Sequence, residues 1–313
     1  MIMLKLAAIV GPTASGKTSL AIEIAQRLNG EIISCDSMQV YRGMDIGTAK
    51  ATAEERKLVP HHLLDVVDID QDFNVAQYQR LAQQAIVDIN ARGKLPLLVG
   101  GTGLYYQAVV DNYHFFPLES KASVLKKWEN IIDEYGLDHA YNFLKEVDYP
   151  YSQVISCNDR KRIVRALEVY ELTGQAFSAF QGRDRHTYNL ASVGLYLQRP
   201  QLYERIEQRV EQMIEQGLIQ EVLALRYRRN YQDRLNSMQA LGYKQVIAYL
   251  DGFIDREGMI EEIKRQTRRF AKRQLTWFKK DKRIYWVEVG HSCQKEIIIE
   301  KIVSYIEGQL YRV

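Results

Sequence analysis

Residues 11–18 read Gly11-Pro12-Thr13-Ala14-Ser15-Gly16-Lys17-Thr18, between the apolar run Leu6-Ala7-Ala8-Ile9-Val10 and an amphipathic stretch from Leu20 to Leu28. Gly-x-x-x-x-Gly-Lys-[Ser/Thr] between a strand and a helix is the phosphate-cradling P-loop. Gly11 and Gly16 let the backbone curl so that successive N–H groups, those of Thr13, Ala14 and Ser15 among them, face an anion. The helix that begins near Lys17 adds the positive end of its dipole. Lys17 reaches phosphate oxygens as a point charge, and the Thr18 hydroxyl ligates a Mg²⁺ that shares those oxygens. The ligand implied is a diphosphate or polyphosphate with a divalent metal. The loop leaves open whether that ligand is a nucleotide.

Asp36 closes a second β-run, Glu31-Ile32-Ile33-Ser34-Cys35. Open α/β sheets bind ligands at such carboxyl ends. Three roles are open to it: metal ligand, general base, or Asx-type turn residue with Ser37. The irregular stretch Ser37 to Lys50 is long for a plain connection. A third apolar run, Leu95 to Val99, ends in Gly100-Gly101-Thr102-Gly103 with no acidic residue. ATPases and GTPases usually carry an Asp there that holds Mg²⁺ and organises water, so its absence weakens a hydrolase reading. Thr102 opens a helix, and an ordinary N-cap is its plain reading. Arg205 and Arg209 lie one helical turn apart among glutamates, where i,i+3 and i,i+4 pairing is the plain reading. His61, His62 and His114 lack a metal-ligand constellation and are expected to serve loops or packing.

Two basic clusters stand out. Asn158 to Arg165 holds four cations in eight positions, and residues 264–283 hold ten cations against one acid. A solvated helix face is the plain reading of a charge run. The second run, however, has almost no acidic residues and is interleaved with Phe270, Trp277 and Phe278. That combination is the footprint of nucleic-acid binding. With a net charge of only +3 over 313 residues, the concentrated patch implies a docking surface rather than general stickiness.

The elements that must position these groups follow from periodicity. Strand-like runs alternate with helical stretches through Asn74–Ala91 and Thr102–Val110, which predicts an α/β fold with a parallel sheet. Residues 119–182 are helical in period throughout. One apolar face would carry Trp128, Ile131, Ile132 and Tyr135, another Ile163, Ala166, Leu167 and Tyr170, ended by Gly174. A strand over Ala191–Leu197, a helix from Leu202 to Tyr227 interrupted at Gly217, a long basic helix over 256–280, a strand over Ile284–Val289 and a helix over Glu296–Leu310 complete the chain. The expected organisation is a catalytic core of residues 1–118 and 190–313 with a helical insertion at 119–189. Hydrophobic residues make up 46% of the sequence, enough for a sizeable core. Cys35, Cys157 and Cys293 are scattered, which disfavours a disulfide framework or zinc site and fits a reducing compartment. No run approaches the length of a membrane span, and the N-terminal apolar run lacks a signal-peptide cleavage region. The expected location is the cytoplasm, without membrane association.

At this point the chain resembles the tRNA dimethylallyltransferases, or tRNA isopentenyltransferases, over essentially its whole length. The resemblance rests on the P-loop at 11–18, Ile33-Ser34-Cys35-Asp36-Ser37-Met38-Gln39-Val40-Tyr41, Gly43 to Lys50, Pro60 to Asp65, Val99-Gly100-Gly101-Thr102-Gly103-Leu104-Tyr105, Asn158 to Glu168, and Ala271-Lys272-Arg273-Gln274-Leu275-Thr276-Trp277. It implies a P-loop NTPase/kinase-like core with an all-helical insertion domain. It also implies transfer of a dimethylallyl group from dimethylallyl diphosphate to N6 of the adenosine next to the anticodon of tRNA, on its 3′ side, with release of diphosphate. In that reading Asp36 is the general base, Thr102 holds the adenine side, and Arg209 joins the P-loop on the diphosphate. The Mg²⁺ on Thr18 assists the leaving group. The family's RNA-contacting segments correspond to Asp36, Ser37, Met38 and Gln39; to Lys161, Arg162, Ile163, Val164 and Arg165; to Gly242, Tyr243 and Lys244; and to Lys272, Arg273, Gln274 and Trp277. Gln239 stands where some relatives carry Arg, which removes a phosphate contact there. No Cys/His zinc module follows the core, so the chain looks like a bacterial form, and a monomer is expected.

Two other classes use part of the same residues. A P-loop small-molecule kinase would bind ATP in the cradle and use Asp36 to orient an acceptor hydroxyl, leaving the basic helices unexplained. A non-catalytic RNA-binding module would explain those helices and leave the P-loop idle.

Overall fold

The apolar runs fold as strands because helices return over the sheet, burying β2 and β4 completely. The computed structural model describes residues 3–115, 121–228, 231–290 and 294–311. It comprises two compact units, one running to Val110 and resuming at His186, the other Asp111–Arg185. The first begins β1 (Leu4–Val10), α1 (Lys17–Arg27), β2 (Gly30–Cys35), α2 (Ala53–Leu58), β3 (His61–His62), α3 (Val75–Ala91), β4 (Leu95–Gly100) and α4 (Gly103–Val110). The second holds α5 (Ala122–Tyr135), α6 (Leu137–Val147), α7 (Tyr149–Ser152) and α8 (Arg160–Thr173). The first then resumes with β5 (Tyr188–Tyr196), α9 (Arg199–Glu215), α10 (Leu218–Arg226), α11 (Tyr243–Leu250), α12 (Arg256–Phe278), β6 (Ile284–Glu288) and α13 (Lys295–Leu310).

The sheet runs β3-β2-β4-β1-β5-β6 and is parallel throughout. Its register decides where the site forms. Val10 and Cys35 both stand opposite Gly100, so Gly11, Asp36 and Gly101 leave the sheet side by side. Alternation along the strands builds two cores. Ala7, Ile9, Leu97 and Val99 point toward α1, α9 and α13; Leu6, Ala8, Val10 and Leu98 point toward α3 and α4. Each fully buried aliphatic side chain contributes about 1.5–3 kcal/mol, well above the few tenths that separate most residues in helix propensity, so packing fixes the architecture. A third apolar cluster joins Tyr41, Met44 and Ile69 to Val210, Val222, Tyr243 and Met259, fastening the irregular 38–72 segment to α9–α12.

The core of the second unit comprises Trp128, Ile132, Leu144, Ile163, Ala166 and Leu167. Asp159 caps α8 through the Arg162 N–H at 3.2 Å, and Gly174 ends it at φ 69°. Tyr135, expected on the buried face of α5, is 61% exposed because α5 stops there at Gly136. This unit begins at Asp111 and ends at Arg185, whereas the sequence suggested 119 and 189; Tyr188 and Asn189 belong to β5. The short α2, α11 and two-residue β3 were not anticipated, since none is long enough to display a period. Cys293 lies outside the described residues. Among the described residues no helix is long and apolar enough to cross a membrane.

His62, expected to serve a loop, has a defined task at the amino end of β2. Its Nε2 lies 2.7 Å from Glu31, a carboxylate that also accepts from Arg92 (2.5 and 2.8 Å) and Lys94 (2.9 Å). Burial opposes ionisation of Glu31, but hydrogen bonds from Arg92, Lys94 and His62 outweigh it and hold its pKa down to about 2 from the ordinary 4.5. The sign follows: a depressed carboxyl stabilises the fold above its unfolded pKa and loses that contribution as pH falls through the folded one. Glu31→Gln is expected to lower stability by about 1–3 kcal/mol near neutrality. In urea unfolding, the wild-type advantage should fade as pH falls from 4.5 toward 2. An advantage constant over that range would mean that shape rather than charge matters at this position.

Candidate active site

The P-loop takes its form from the sheet edge beneath it. Gly11 has φ 150°, and a Cβ there would stand 2.6 Å from the Leu195 carbonyl oxygen of β5. Gly16 turns into α1 at φ 80°. The Ser15 hydroxyl donates to the Pro12 carbonyl at 2.8 Å, and Lys17 Nζ donates to the same oxygen at 2.7 Å. Burial, followed by the nearby Arg209 guanidinium, pushes Lys17 down to about 7, against the opposing pull of Asp36 and Cys35. The Thr18 hydroxyl lines the cavity described below.

The turns after β2 and β4 are sewn to each other. Thr102 N–H donates to the Cys35 carbonyl at 3.1 Å, and the Ser37 N–H donates to the Thr102 hydroxyl at 3.1 Å. The Thr102 side chain therefore serves the neighbouring turn rather than acting as a plain N-cap. Asp36 Oδ1 accepts the Met38 N–H at 2.9 Å, so the Asx turn is real. That bond fixes the carboxylate and uses one of its oxygens. Beneath it, burial drives the Cys35 thiol up to about 12, too high for a nucleophilic role.

The wall formed by residues 44–50 depends on Glu221 of α10. Its carboxylate accepts from the N–H groups of Asp45 (2.9 Å), Ile46 (2.7 Å) and Gly47 (3.2 Å), and from the Tyr243 hydroxyl (2.6 Å). Gln39 donates to the Thr48 carbonyl at 3.1 Å, and buried Lys50 pairs with Asp45 and Asp65. Sequence inspection gave Glu221 no role. Its partners are backbone amides 174 to 176 residues earlier, which leave no local pattern.

These turns and α9, α11 and α12 enclose a cavity of about 350 Å³. Thr13, Lys17, Thr18, Asp36, Ser37, Met38, Gln39, Thr102, Arg209, Gly242, Lys244, Arg273 and Gln274 all line it. Gly11, Ala14, Ser15 and Gly16 shape the loop without lining the cavity. Apolar lining comes from Met38, Ile206, Val210, Met213, Ile263 and Phe270. Neither Arg205 nor Arg209 pairs with a glutamate among the described residues. Arg205 donates to the Val289 carbonyl at 3.2 Å, while Arg209 makes no hydrogen bond or ion pair among the described residues. Burial lowers the pKa of Arg209, and Asp36 opposes that shift. The arrangement suits an anion at the P-loop, a hydrocarbon beside it and a proton acceptor at Asp36.

Several residues expected to face RNA have their side chains turned inward. Tyr243 is fully buried, its hydroxyl held by Glu221. Gln274 is 6% exposed and bonded to the P-loop and to the turn after β4. Trp277 packs on Gly103 with its indole nitrogen buried. Ile163 and Val164 belong to the core of the second unit. Lys161 and Arg162 are exposed, and Arg165 pairs with buried Glu168 at 2.6 Å. The long basic run also divides. Lys264, Arg265 and Arg268 pair with Glu211 and Glu261, Glu262, and Glu207 respectively. Exposed Arg269, Lys272, Arg273, Lys279, Lys280 and Lys282 have no ion pair among the described residues. The pairing acids on α9 lie more than 50 residues from their partners, so the sequence overstated the uncompensated charge.

With its pKa held down to about 7 by burial, Lys17 must be charged to hold an anion. Binding of inorganic diphosphate should therefore take up a proton when pH exceeds about 7. Wild-type affinity is expected to fall more steeply with rising pH than that of Lys17→Met, by up to about tenfold per pH unit. Parallel pH profiles, measured by calorimetry in buffers of different ionisation enthalpy, would remove Lys17 from the anion site.

Comparison with known proteins agrees with this geometry. Residues 39–281 match the family model described as IPP transferase. The chain is 60% identical over 307 residues to a tRNA dimethylallyltransferase of Syntrophomonas wolfei, covering 98% of this chain and 99% of that protein. It is 52% identical over 300 residues to one from Moorella thermoacetica, covering 93% and 92%. Among solved structures, a tRNA isopentenylpyrophosphate transferase from Bacillus halodurans superposes with a TM-score of 0.72 at 43% identity, covering 98% of each chain. A eukaryotic dimethylallyltransferase acting on tRNA gives 0.80 at 31% identity, covering 95% of this chain and 77% of that one. With a phosphate cradle, a carboxylate and an apolar cavity on one sheet edge, and relatives matched almost end to end, the chain belongs to the IPP transferase family.

Proposed function

We propose that this chain transfers the dimethylallyl group of dimethylallyl diphosphate to N6 of the adenosine on the 3′ side of the anticodon in tRNA, releasing diphosphate. The observation that carries the reading is the lining of one cavity by a phosphate cradle, by the carboxylate of Asp36 and by apolar side chains from α9 and α12. The absence of a carboxylate at the end of β4 supports prenyl transfer over nucleotide hydrolysis.

In the reaction the allylic C–O bond breaks and a C–N bond forms. Negative charge grows on the departing diphosphate. Lys17, Arg209 and the P-loop amides stabilise it, except the Thr13 N–H, which the sequence suggested would face the anion but which donates to Gln274; amides held in place by the fold need no reorganisation as the charge develops. Arg209 makes no protein hydrogen bond among the described residues, so it engages the anion without first breaking one. Met38, Val210, Met213 and Ile263 suit a short branched hydrocarbon and keep water from the allylic carbon. The N6 amine is a weak nucleophile that sheds a proton as it reacts. Asp36 accepts that proton. Thr102, its oxygen already accepting from Ser37, retains a hydroxyl proton to donate toward the adenine. The adenosine reaches the cavity only by leaving its stack.

The residues fit Mg²⁺ in the manner usual for phosphate sites. Thr18 lines the cavity, and its hydroxyl makes no hydrogen bond among the described residues. Among those residues no group of three or more His, Cys, Asp or Glu side chains forms a metal site. Thr18 with the substrate's own oxygens and water would hold the ion. When bound, it neutralises charge on the leaving group. The reading carries with it a monomer acting in the cytoplasm.

Purified protein given unmodified tRNA, Mg²⁺ and dimethylallyl diphosphate labelled in its prenyl group should move label into tRNA. Phosphoryl transfer from ATP to a small acceptor, with no prenyl transfer, would overturn the reading. Asp36→Asn should lower kcat by about a hundredfold or more while tRNA still binds; near-wild-type turnover would remove Asp36 as the base. For the RNA surface, Gln substitutions at Arg269, Lys272 and Lys279 should weaken tRNA binding and reduce its logarithmic salt slope by about two to three. The same change at Lys264, Arg265 and Arg268 should leave the slope nearly unchanged. Equal effects of the two triples would return α12 to an ordinary solvated face.

A further inference from the structure

Gln274 is a buried polar side chain on the helix that carries the unpaired cations, and the transfer chemistry above gives it no task. Its Oε1 accepts the Thr13 N–H of the P-loop at 2.8 Å, and its Nε2 donates to the Gly101 carbonyl at 3.0 Å. Those partners sit on the turns that follow β1 and β4, neighbouring strands of the sheet. One turn carries the phosphate cradle; the other carries Thr102. The site allows little slack, because a Cβ on Gly101 would collide with the carboxamide nitrogen. Gln274 itself is held by the helix. Ala271 and Phe278 on the same face are buried in the two sheet cores, while Lys272 and Arg273 are exposed.

We propose that Gln274 is a positioning residue that holds the diphosphate loop in register with the acceptor-side turn, by presenting one acceptor and one donor to the two loops at once. A carboxamide supplies both. A carboxylate of the same shape can accept from Thr13 but opposes its second oxygen to the Gly101 carbonyl. A protonated carboxyl restores one donor and one acceptor. An apolar side chain leaves both partners buried and unmet, at a cost large enough to measure. The inference rests on the functional reading only for the identity of the acceptor side; the tie itself concerns the shape of the anion cradle.

The test compares wild type, Gln274→Glu and Gln274→Met for binding of inorganic diphosphate in the presence of Mg²⁺ as pH is lowered from about 8 to about 5.5, a range that covers a carboxyl raised by burial. At the alkaline end both variants should bind about tenfold more weakly than wild type. On acidification Gln274→Glu should rise past Gln274→Met and approach wild type. Relief of charge repulsion alone would bring it only to the level of Gln274→Met, and that result overturns the proposal. So does a Gln274→Met protein that binds as wild type does. Thermal unfolding of each protein at both ends of the range verifies that folded protein is compared. Prenyl transfer by wild type is measured alongside. Its failure, with the diphosphate result intact, would refute the assigned reaction and leave the role of Gln274 standing.

Discussion

Parallel strands that end at the same level hand their following residues to one another, and the site depends on that constraint. Val10 and Cys35 both face Gly100 across the sheet. Gly11, Asp36 and Gly101 consequently start three turns at one edge, although they are far apart in sequence. Slipping β4 by one residue would exchange its two buried faces as well as move its turn. Burial of Leu97 and Val99 on one side and Leu98 on the other therefore protects the site geometry as it stabilises the core.

On this edge the fold concentrates charge where charge is costly. Lys17 and Arg209 are near each other, both lowered by burial, with Asp36 the main group acting against that shift. An anion beside the P-loop would relieve the repulsion between the two cations. Lys17 also donates to the Pro12 carbonyl. Around this cluster polar ties hold the turns: Thr102 to Ser37, Asp36 to Met38, Gln274 to Thr13 and Gly101, Glu221 to the 45–47 amides. Preorganisation of this kind is what lets fixed dipoles stabilise a developing charge.

Helix α12 shows how one element serves two purposes. Ala271, Gln274 and Phe278 form its buried face, whereas Arg269, Lys272 and Arg273 lie on its exposed side. Helical spacing alone separates these sets. The start of its basic run, Lys264 to Arg268, is neutralised by glutamates of α9 and of α12 itself, which leaves the uncompensated charge on Arg269, Lys272 and Arg273 and on the lysines that follow the helix.

By itself the sequence determined the phosphate chemistry, the parallel sheet, the helical insertion and the place of Asp36 at a strand end. Each of these is a local signal: a spaced motif, a period of apolar residues, a composition. The tertiary structure alone decided which residues of those motifs face a ligand. Gln274, Trp277, Tyr243, Ile163 and Val164 sit within segments that the resemblance assigns to RNA, yet their side chains turn into cores or tie loops together. Glu221 left no trace in the sequence, because a carboxylate that binds distant backbone amides looks like any other acid on a helix. Motif and period are written along the chain. Orientation and partnership come from packing between residues far apart in it.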